Sequence, residues 1–471
     1  MIEIRTRFAP SPTGYLHVGH LRSCLYSYAF AKSQGGKFVL RIEDTDRRRL
    51  VPGSVEKIIE GLRMFGLNWD EGPIVDGPYS PYIQSERTTL GIYRPYAEKL
   101  VSSGHAYYCF CPVKSKEEIA EEHEQRKICL RDEYCRNLTP EQVQEKIRLG
   151  LKPAIRLKVP DNETVSYYDF VVKKEISWDT RNIDEVMLLK SDGFPTYHLA
   201  VVVDDSLMKI SHIIRAQEWL PSTPVHLVLF KYLGFDVPQI GHLTAILDPA
   251  GGKLSKRKGA VAVEEFLAEG YLLEALLNFV MLLGWAPKDN RELFTLQDFV
   301  DNFSSGQLQI SNPVFNRKKL DWFNGCYIRQ KSDEELTSLL QPFLPHGTDE
   351  ETLKKVIPLI KERITKLSDF VPFAGFFFSK PKLELELFGD LSYKDYLSNA
   401  LEILRKIDVW SNEKIQEVLG SLIEKNQWKV GDFYMSFRIA LTGSRFTPPI
   451  TESAEILGKE ETISRLEAAT K

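Results

Sequence analysis

The chain has 471 residues, 43% of them apolar and 27% charged, a soluble globular composition long enough for roughly two to five domains. No apolar run approaches about 18 residues, which argues against a membrane span. The charged, alternating start "MIEIRTRF" has the look of neither a signal peptide nor a transit peptide, so a cytoplasmic location is expected. The formal net charge of −4 carries no sign of a nucleic-acid partner and excludes none, because RNA binding needs only a local basic surface.

In chain order, "IEIRTRF" alternates and predicts a strand. "APSPTG" ends it, since two prolines and a glycine make a turn. Leu21, Cys24, Leu25, Tyr28 and Ala29 then recur at helical spacing, and Gly35–Gly36 stop that helix. "FVLRI" reads as a nearly continuous apolar strand of a parallel sheet covered on both faces. A strand–helix–strand unit of this kind places ligands beyond the carboxyl ends of its strands, so "SPTGYLHVGH" and "EDTD" share one rim. Residues 100 to 190 change character and read as an insertion. It holds a cysteine cluster, the charged helical run "SKEEIAEEHEQRK" and the strand-like pieces "AIRLKVP" and "TVSYYDFVV". Strands of the first type are expected to resume at "EVMLLK" and "HLAVVVDD". From about 325 onward the pattern is amphipathic helices.

The phosphate-binding signatures G-x-x-x-x-G-K-[ST] and G-x-G-x-x-G are both missing. "HVGH" at a helix start offers another way to hold phosphate: free N–H groups, a side-chain-free Gly19, and His17 and His20 as donors to phosphate oxygens. Two ordinary surface histidines are the competing reading for the stretch alone. "GGKLSKRKG" is a Gly-flanked basic loop. Such a run is usually just solvated, but Lys253 and Lys256 could close on a triphosphate, where positioned positive charge does the work. No serine or cysteine nucleophile is paired with the histidines. Cys109, Cys111, Cys129 and Cys135 fall in one short segment and suggest a tetrahedral metal site rather than disulfides.

Taken together, "TRFAPSPTGYLHVGH", "RIEDTD", "WDEGP", "LLKSDGFPTYHLAVVVDD", "HIIRAQEW", "KLSKRKGA" and "RIALTGS" resemble the glutamyl-tRNA synthetase family of class I aminoacyl-tRNA synthetases, in order and over essentially the whole chain. The resemblance implies an α/β fold. A Rossmann-type parallel-sheet catalytic core would be split over residues 1–100 and 188–240. An inserted α+β acceptor-binding subdomain would occupy 101–187, a stem-contact domain with the KLSKR loop 241–322, and an all-α anticodon-binding region 323–471. It implies a monomeric ligase that joins glutamate to tRNA(Glu) through an adenylate. ATP and Mg²⁺ serve as cofactors, and the attacking group arrives with the substrate. Whether tRNA(Gln) is also charged stays open. A paralogue that binds tRNA without activity would have shed the phosphate-handling residues, which are intact here. A glutaminyl enzyme would end in β-barrels.

By the same resemblance, His17, His20, Lys253 and Lys256 are the catalytic group. His17, Gly19, His20, Glu218, Trp219, Leu254 and Lys256 contact ATP. Arg7, Ala9, Ser11, Glu43, Tyr197 and Arg215 form the glutamate pocket. Charge gives independent support: glutamate needs one acid for its ammonium (Glu43) and arginines for its carboxylates (Arg7 and Arg215), because guanidinium pairs bidentately with carboxylate. The family's glutaminyl relatives lack an arginine at the position of Arg215. Some members bind zinc with three cysteines and a histidine. Cys109, Cys111 and Cys135 match the cysteines, whereas Asn137 stands at the histidine position, so Cys129 or His123 would complete the site. Trp428, Phe437, Arg438 and Arg445 are candidates for contact with unstacked bases.

Overall fold

The computed structural model describes residues 3–111, 133–254 and 261–471. The charged run "SKEEIAEEHEQRK", His123, Cys129 and Lys256 lie outside the described residues. The chain divides into two compact units: Met1–Glu265 with Leu277–Asn316, and Phe266–Leu276 with Arg317–Lys471.

In the first unit, strand β1 (Arg5–Phe8) pairs in parallel with β2 (Lys37–Leu40), and helix α1 (Val18–Lys32) makes the crossover. Of the predicted helical face, Leu21, Cys24, Leu25 and Ala29 are fully buried, whereas Tyr28 is half-buried. Tyr26 and Ser27 are buried as well, because the helix is covered nearly all round, as expected of a parallel sheet's layer. The Gly35–Gly36 stop also holds. Gly35 has φ +65° and a Cβ on Gly36 would lie 2.3 Å from the Ile4 carbonyl, so only glycine lets the chain turn back into β2.

Beyond β1 and β2 come β3 (Ala106–Cys109), β4 (Ala154–Leu157), β5 (Thr164–Asp169), β6 (Lys174–Asp179), β7 (Met187–Leu189), β8 (His212–Ala216) and β9 (Gln239–Leu243). Strands β8 and β9 pair in parallel, and β8 lies against β1, where Ser211 N–H donates to Arg5 O at 2.9 Å. The strand order β6–β5–β9–β8 brings β5 against β9, with Asp169 opposite Ile240. The other three strands form an antiparallel sheet, β3–β4–β7.

Two strand expectations are corrected. "EVMLLK" supplies β7, which joins the antiparallel sheet rather than the parallel one. "HLAVVVDD" is not a strand but part of helix Tyr197–Leu207. A short apolar run does not distinguish a buried strand from a buried helix. Here the helix wins because Asp204 and Asp205, which close the run, both find partners on its buried side. Asp204 accepts from Arg87 Nε and Gln84 Nε2, each at 2.8 Å, and from Tyr93 OH at 2.9 Å.

The second unit is helical among its described residues. One core gathers Leu336, Leu340, Val356, Ile357, Ile360 and Phe370, the other Leu397, Leu401, Leu419, Phe433, Phe437 and Leu466. The run "AEILGKEETISRLEAA" is two helices, Ile450–Leu457 and Lys459–Thr470, broken at Gly458. Phe437 is fully buried in the second core and takes no part in a surface, whereas Phe446 is 79% exposed. Arg438 is held inside its own unit by Thr447 and Pro448, leaving Arg445 exposed beside Phe446. No described helix is long and apolar enough to cross a membrane.

Candidate active site

Phe8 O accepts from Arg41 N–H and Pro10 O from Glu43 N–H, each at 3.0 Å, so β1 and β2 stay zipped past their ends. This brings Arg7, Ala9, Ser11 and Glu43 to one rim. Ser11 sits exposed on the turn, where its carbonyl accepts from Thr13 N–H at 2.8 Å.

On one side of the rim lies a cavity of about 420 Å³ lined by His17, Gly19, His20, Glu218, Trp219, Lys253 and Leu254, among others. His17 caps α1: its Nδ1 accepts from His20 N–H at 3.3 Å, and the two rings stack with centroids 3.6 Å apart. A Cβ on Gly19 would come within 3.1 Å of the His17 ring, so glycine here keeps the imidazole in place. Burial, and then the neighbouring His17, pushes the His20 pKa down to about 3. His20 is therefore a neutral hydrogen-bonding group, not a cation. Two strands of hydrogen bonds tie the segment after the basic loop to this helix start. Val18 N–H donates to Val261 O at 3.0 Å, and Val263 N–H to Leu16 O at 2.9 Å. Ahead of the loop, Leu254 N–H donates to Ile246 O at 2.9 Å, and the Lys253 ammonium pairs with Glu218. Burial works against the charge of Glu218, but Lys253 outweighs it and holds that carboxyl below its usual range.

Sequence reasoning missed Arg22, which also lines this cavity. It is buried, donates from Nη1 to Thr244 O at 2.6 Å, and so fixes the backbone that forms the cavity floor. Its place on the inward side of α1, charged among apolar neighbours, was the available signal.

On the other side of the rim, charges converge. Arg41 reaches from the end of β2 to Asp205 Oδ1 at 2.7 Å and Glu43 Oε1 at 2.8 Å. Arg7 Nε lies 3.3 Å from Asp205 Oδ1. Arg215, at the end of β8, donates from Nη1 to Tyr197 OH at 3.2 Å and from Nη2 to Thr223 Oγ1 at 2.8 Å. Among the described residues it has no carboxylate partner. Burial raises the Tyr197 pKa to about 12, and the charges of Arg215, Glu43, Arg7 and Asp205 all act on it, which places that group around one phenol. Arg41 and Asp205 were missed, although an arginine inside "FVLRI" and two acids closing an apolar run were visible irregularities. Tyr197 and Trp219, 4.7 Å apart between ring centroids, join the two sides.

In the separate cysteine cluster, the Sγ atoms of Cys109, Cys111 and Cys135 all lie within 4.8 Å of one another. Cys111 and Cys135 are 3.7 Å apart, close to the roughly 3.8 Å that bonds of about 2.3 Å span at a tetrahedral angle.

The catalytic rim and the helical unit fit one class of protein. Residues 3–322 match the family of tRNA synthetases class I (E and Q), catalytic domain, and residues 335–470 match an anticodon binding domain. The chain is 40% identical to the glutamate–tRNA ligase of Clostridioides difficile, over 99% of this chain and 98% of that one. It is 41% identical to the glutamate–tRNA ligase of Borreliella burgdorferi, at the same coverage. A solved glutamate–tRNA ligase of Elizabethkingia meningosepticum, in complex with its amino acid, superposes with a TM-score of 0.85 at 35% identity, covering 99% of both chains. The glutamate–tRNA synthetase structure of Elizabethkingia anophelis gives 0.86. This chain belongs to the glutamate–tRNA ligase family.

The burial of His20 predicts its titration. An unfolded histidine has a pKa near 6.5, against about 3 in the fold. Between those values only the unfolded chain takes up the proton, so stability falls as pH drops through that window. An NMR titration of the His20 ring should show no midpoint between pH 5 and 8; one near 6.5 would contradict the packing.

Proposed function

We propose that the chain activates L-glutamate with ATP and transfers it to the 3′-terminal adenosine of tRNA(Glu). The observation that carries this reading is the charge balance of the rim. Arg7, Arg41 and Arg215 face Glu43 and Asp205, so the cluster holds one positive charge in excess. Glutamate, with one ammonium and two carboxylates, carries the complementary single negative charge. Both contacts of Glu43 to Arg41 use Oε1, which leaves Oε2 for the ammonium. Arg215 takes one substrate carboxylate beside Tyr197, and Arg7, with Ser11 and the Ala9 backbone, takes the other.

The adjacent cavity takes ATP. In the first step an oxygen of the substrate α-carboxylate forms a bond to the α-phosphorus, the bond from that phosphorus to the bridging oxygen breaks, and pyrophosphate leaves. A ribose hydroxyl of the tRNA then attacks the acyl carbon of the adenylate, loses its proton, and releases AMP. The protein supplies no nucleophile. His17 and His20 donate hydrogen bonds to phosphate oxygens that gain charge, Lys253 and Lys256 counter that charge, and the Gly19 backbone admits the nucleotide. Among the described residues the cavity lining offers a single carboxylate, Glu218, already paired with Lys253. Mg²⁺ would therefore enter on the triphosphate, whose charge it neutralises, and not in a protein cage.

The reading needs residues of one chain only, consistent with a monomer. Charging tRNA(Glu) and tRNA(Gln) side by side decides whether the anticodon-binding unit discriminates between them. The cysteine triad would hold structural zinc through Cys109, Cys111 and Cys135, with Cys129 or His123 as the fourth ligand. Metal analysis should find about one zinc per chain, lost in Cys135→Ser; a metal-free wild-type chain with full activity would dismiss the site.

The wild-type chain should catalyse tRNA-dependent ATP–pyrophosphate exchange with glutamate. Lys256→Ala should lower that exchange by about a hundredfold or more while leaving tRNA affinity nearly intact. No glutamylation of cognate tRNA by the wild type would refute the reading, and equal loss of binding and exchange in the variant would refute the role of Lys256.

A further inference from the structure

Among the described residues, every hydrogen bond of the Arg215 guanidinium goes to a neutral group. Its Nε donates to His242 Nε2 at 3.0 Å, and its Nη1 also meets His226 Nδ1 at 3.4 Å. An arginine side chain keeps its protons at any relevant pH, so each facing ring nitrogen must offer a lone pair. For His242 this fixes the tautomer: Nε2 accepts, and Nδ1 carries the proton. The other end of that ring meets Asp169, whose Oδ2 is 2.7 Å from Nδ1 and also accepts from Tyr167 OH at 2.8 Å. Asp169 is itself fixed by Val171 N–H at 3.0 Å and Val172 N–H at 3.1 Å, both on Oδ1. Asp169 is fully buried, His242 is 2% exposed and Arg215 6%.

We propose that Asp169 and His242 are positioning residues that aim the Arg215 guanidinium at the glutamate carboxylate, Asp169 by holding His242 as the Nδ1–H tautomer. The inference rests on the assignment of Arg215 to the substrate carboxylate. Burial, together with the charge of Arg215, lowers the His242 pKa, so the ring stays neutral and never opposes the guanidinium with a second donor. The carboxyl of Asp169 is kept below its ordinary range despite burial, chiefly by the bond from His242, so it is always an acceptor. A neutral ring also leaves the charge of Arg215 for the substrate, where a directly bound carboxylate would cancel it. Asp169 comes from β5, inside the stretch that reads in sequence as an insertion. The contact of β5 with β9 is what puts it behind the pocket.

The substitution that isolates this effect is Asp169→Asn. Its oxygen can keep the bonds from the N–H groups of Val171, Val172 and His242, all of which reach Oδ1, while its amide donates toward His242 Nδ1 and Tyr167 OH where Oδ2 accepted. His242 must then present Nδ1 as acceptor and carry its proton on Nε2, facing Arg215 donor to donor. In ATP–pyrophosphate exchange the variant should raise KM for glutamate about tenfold or more, with KM for ATP within twofold of wild type. The wild type, assayed first in the same preparation, checks the assignment of the substrate separately. If it shows no exchange with glutamate, that assignment fails, while the tautomer is still read directly. Nitrogen NMR of histidine-labelled wild-type protein should show His242 protonated at Nδ1, and the variant at Nε2; because the wild-type spectrum alone is informative, a variant that fails to fold does not remove the test. An Nε2–H tautomer in the wild type, or equal rises in KM for glutamate and ATP in the variant, would overturn the proposal.

Discussion

Three guanidinium groups and two carboxylates lie out of water at the carboxyl ends of the parallel strands, and one positive charge among them has no anionic partner among the described residues. A buried charge left alone is costly, so the protein surrounds Arg215 with Tyr197, Thr223, His226 and His242, which satisfy its donors without neutralising it. The other charges are closed locally. Arg41 bridges Asp205 and Glu43, while Arg87 closes on Asp204. These partners come from the segment just past β2, from β9 and from the helices Gln84–Thr89, Tyr197–Leu207 and Thr223–Leu233, so the sheet order and the placement of those helices serve one electrostatic arrangement.

The cavity on the other side of the rim depends on a backbone constraint. The basic loop and the α1 start are more than two hundred residues apart in sequence. The pairing of Val18 with Val261 and of Val263 with Leu16 nonetheless leads the residue that follows the loop back to His17. The rings of His17 and His20 stack there, and burial holds the His20 imidazole well below its ordinary pKa, so it brings hydrogen-bonding capacity rather than a fixed positive charge. Tyr197 and Trp219, with ring centroids 4.7 Å apart, then pass from the charged cluster to the adjacent cavity.

Much of this was legible in the sequence. The first strand–helix–strand unit, the glycine stop and the helical second half follow from periodicity and turn chemistry, and the named rim residues Arg7, Glu43, Tyr197 and Arg215 do come together. The misses have a common cause. "HLAVVVDD" reads as a strand because apolar β-branched runs suit both buried states. Only the tertiary partners of Asp204 and Asp205 decide for helix. Asp169 reads as part of an insertion because pairing of β5 with β9 is a long-range contact with no local signature. Phe437 looked like a surface aromatic, yet its helical spacing serves the core, while Phe446, in a Pro-rich turn, is the exposed ring.

The central claim is that Arg215 supplies the unpaired charge that selects glutamate. Calorimetric titration of the intact chain with glutamate and with glutamine tests it most directly. The wild type should prefer glutamate by roughly 10- to 100-fold, the worth of about one charged hydrogen-bonded contact, and Arg215→Ala should abolish most of that preference. An unchanged preference in the variant would contradict the account.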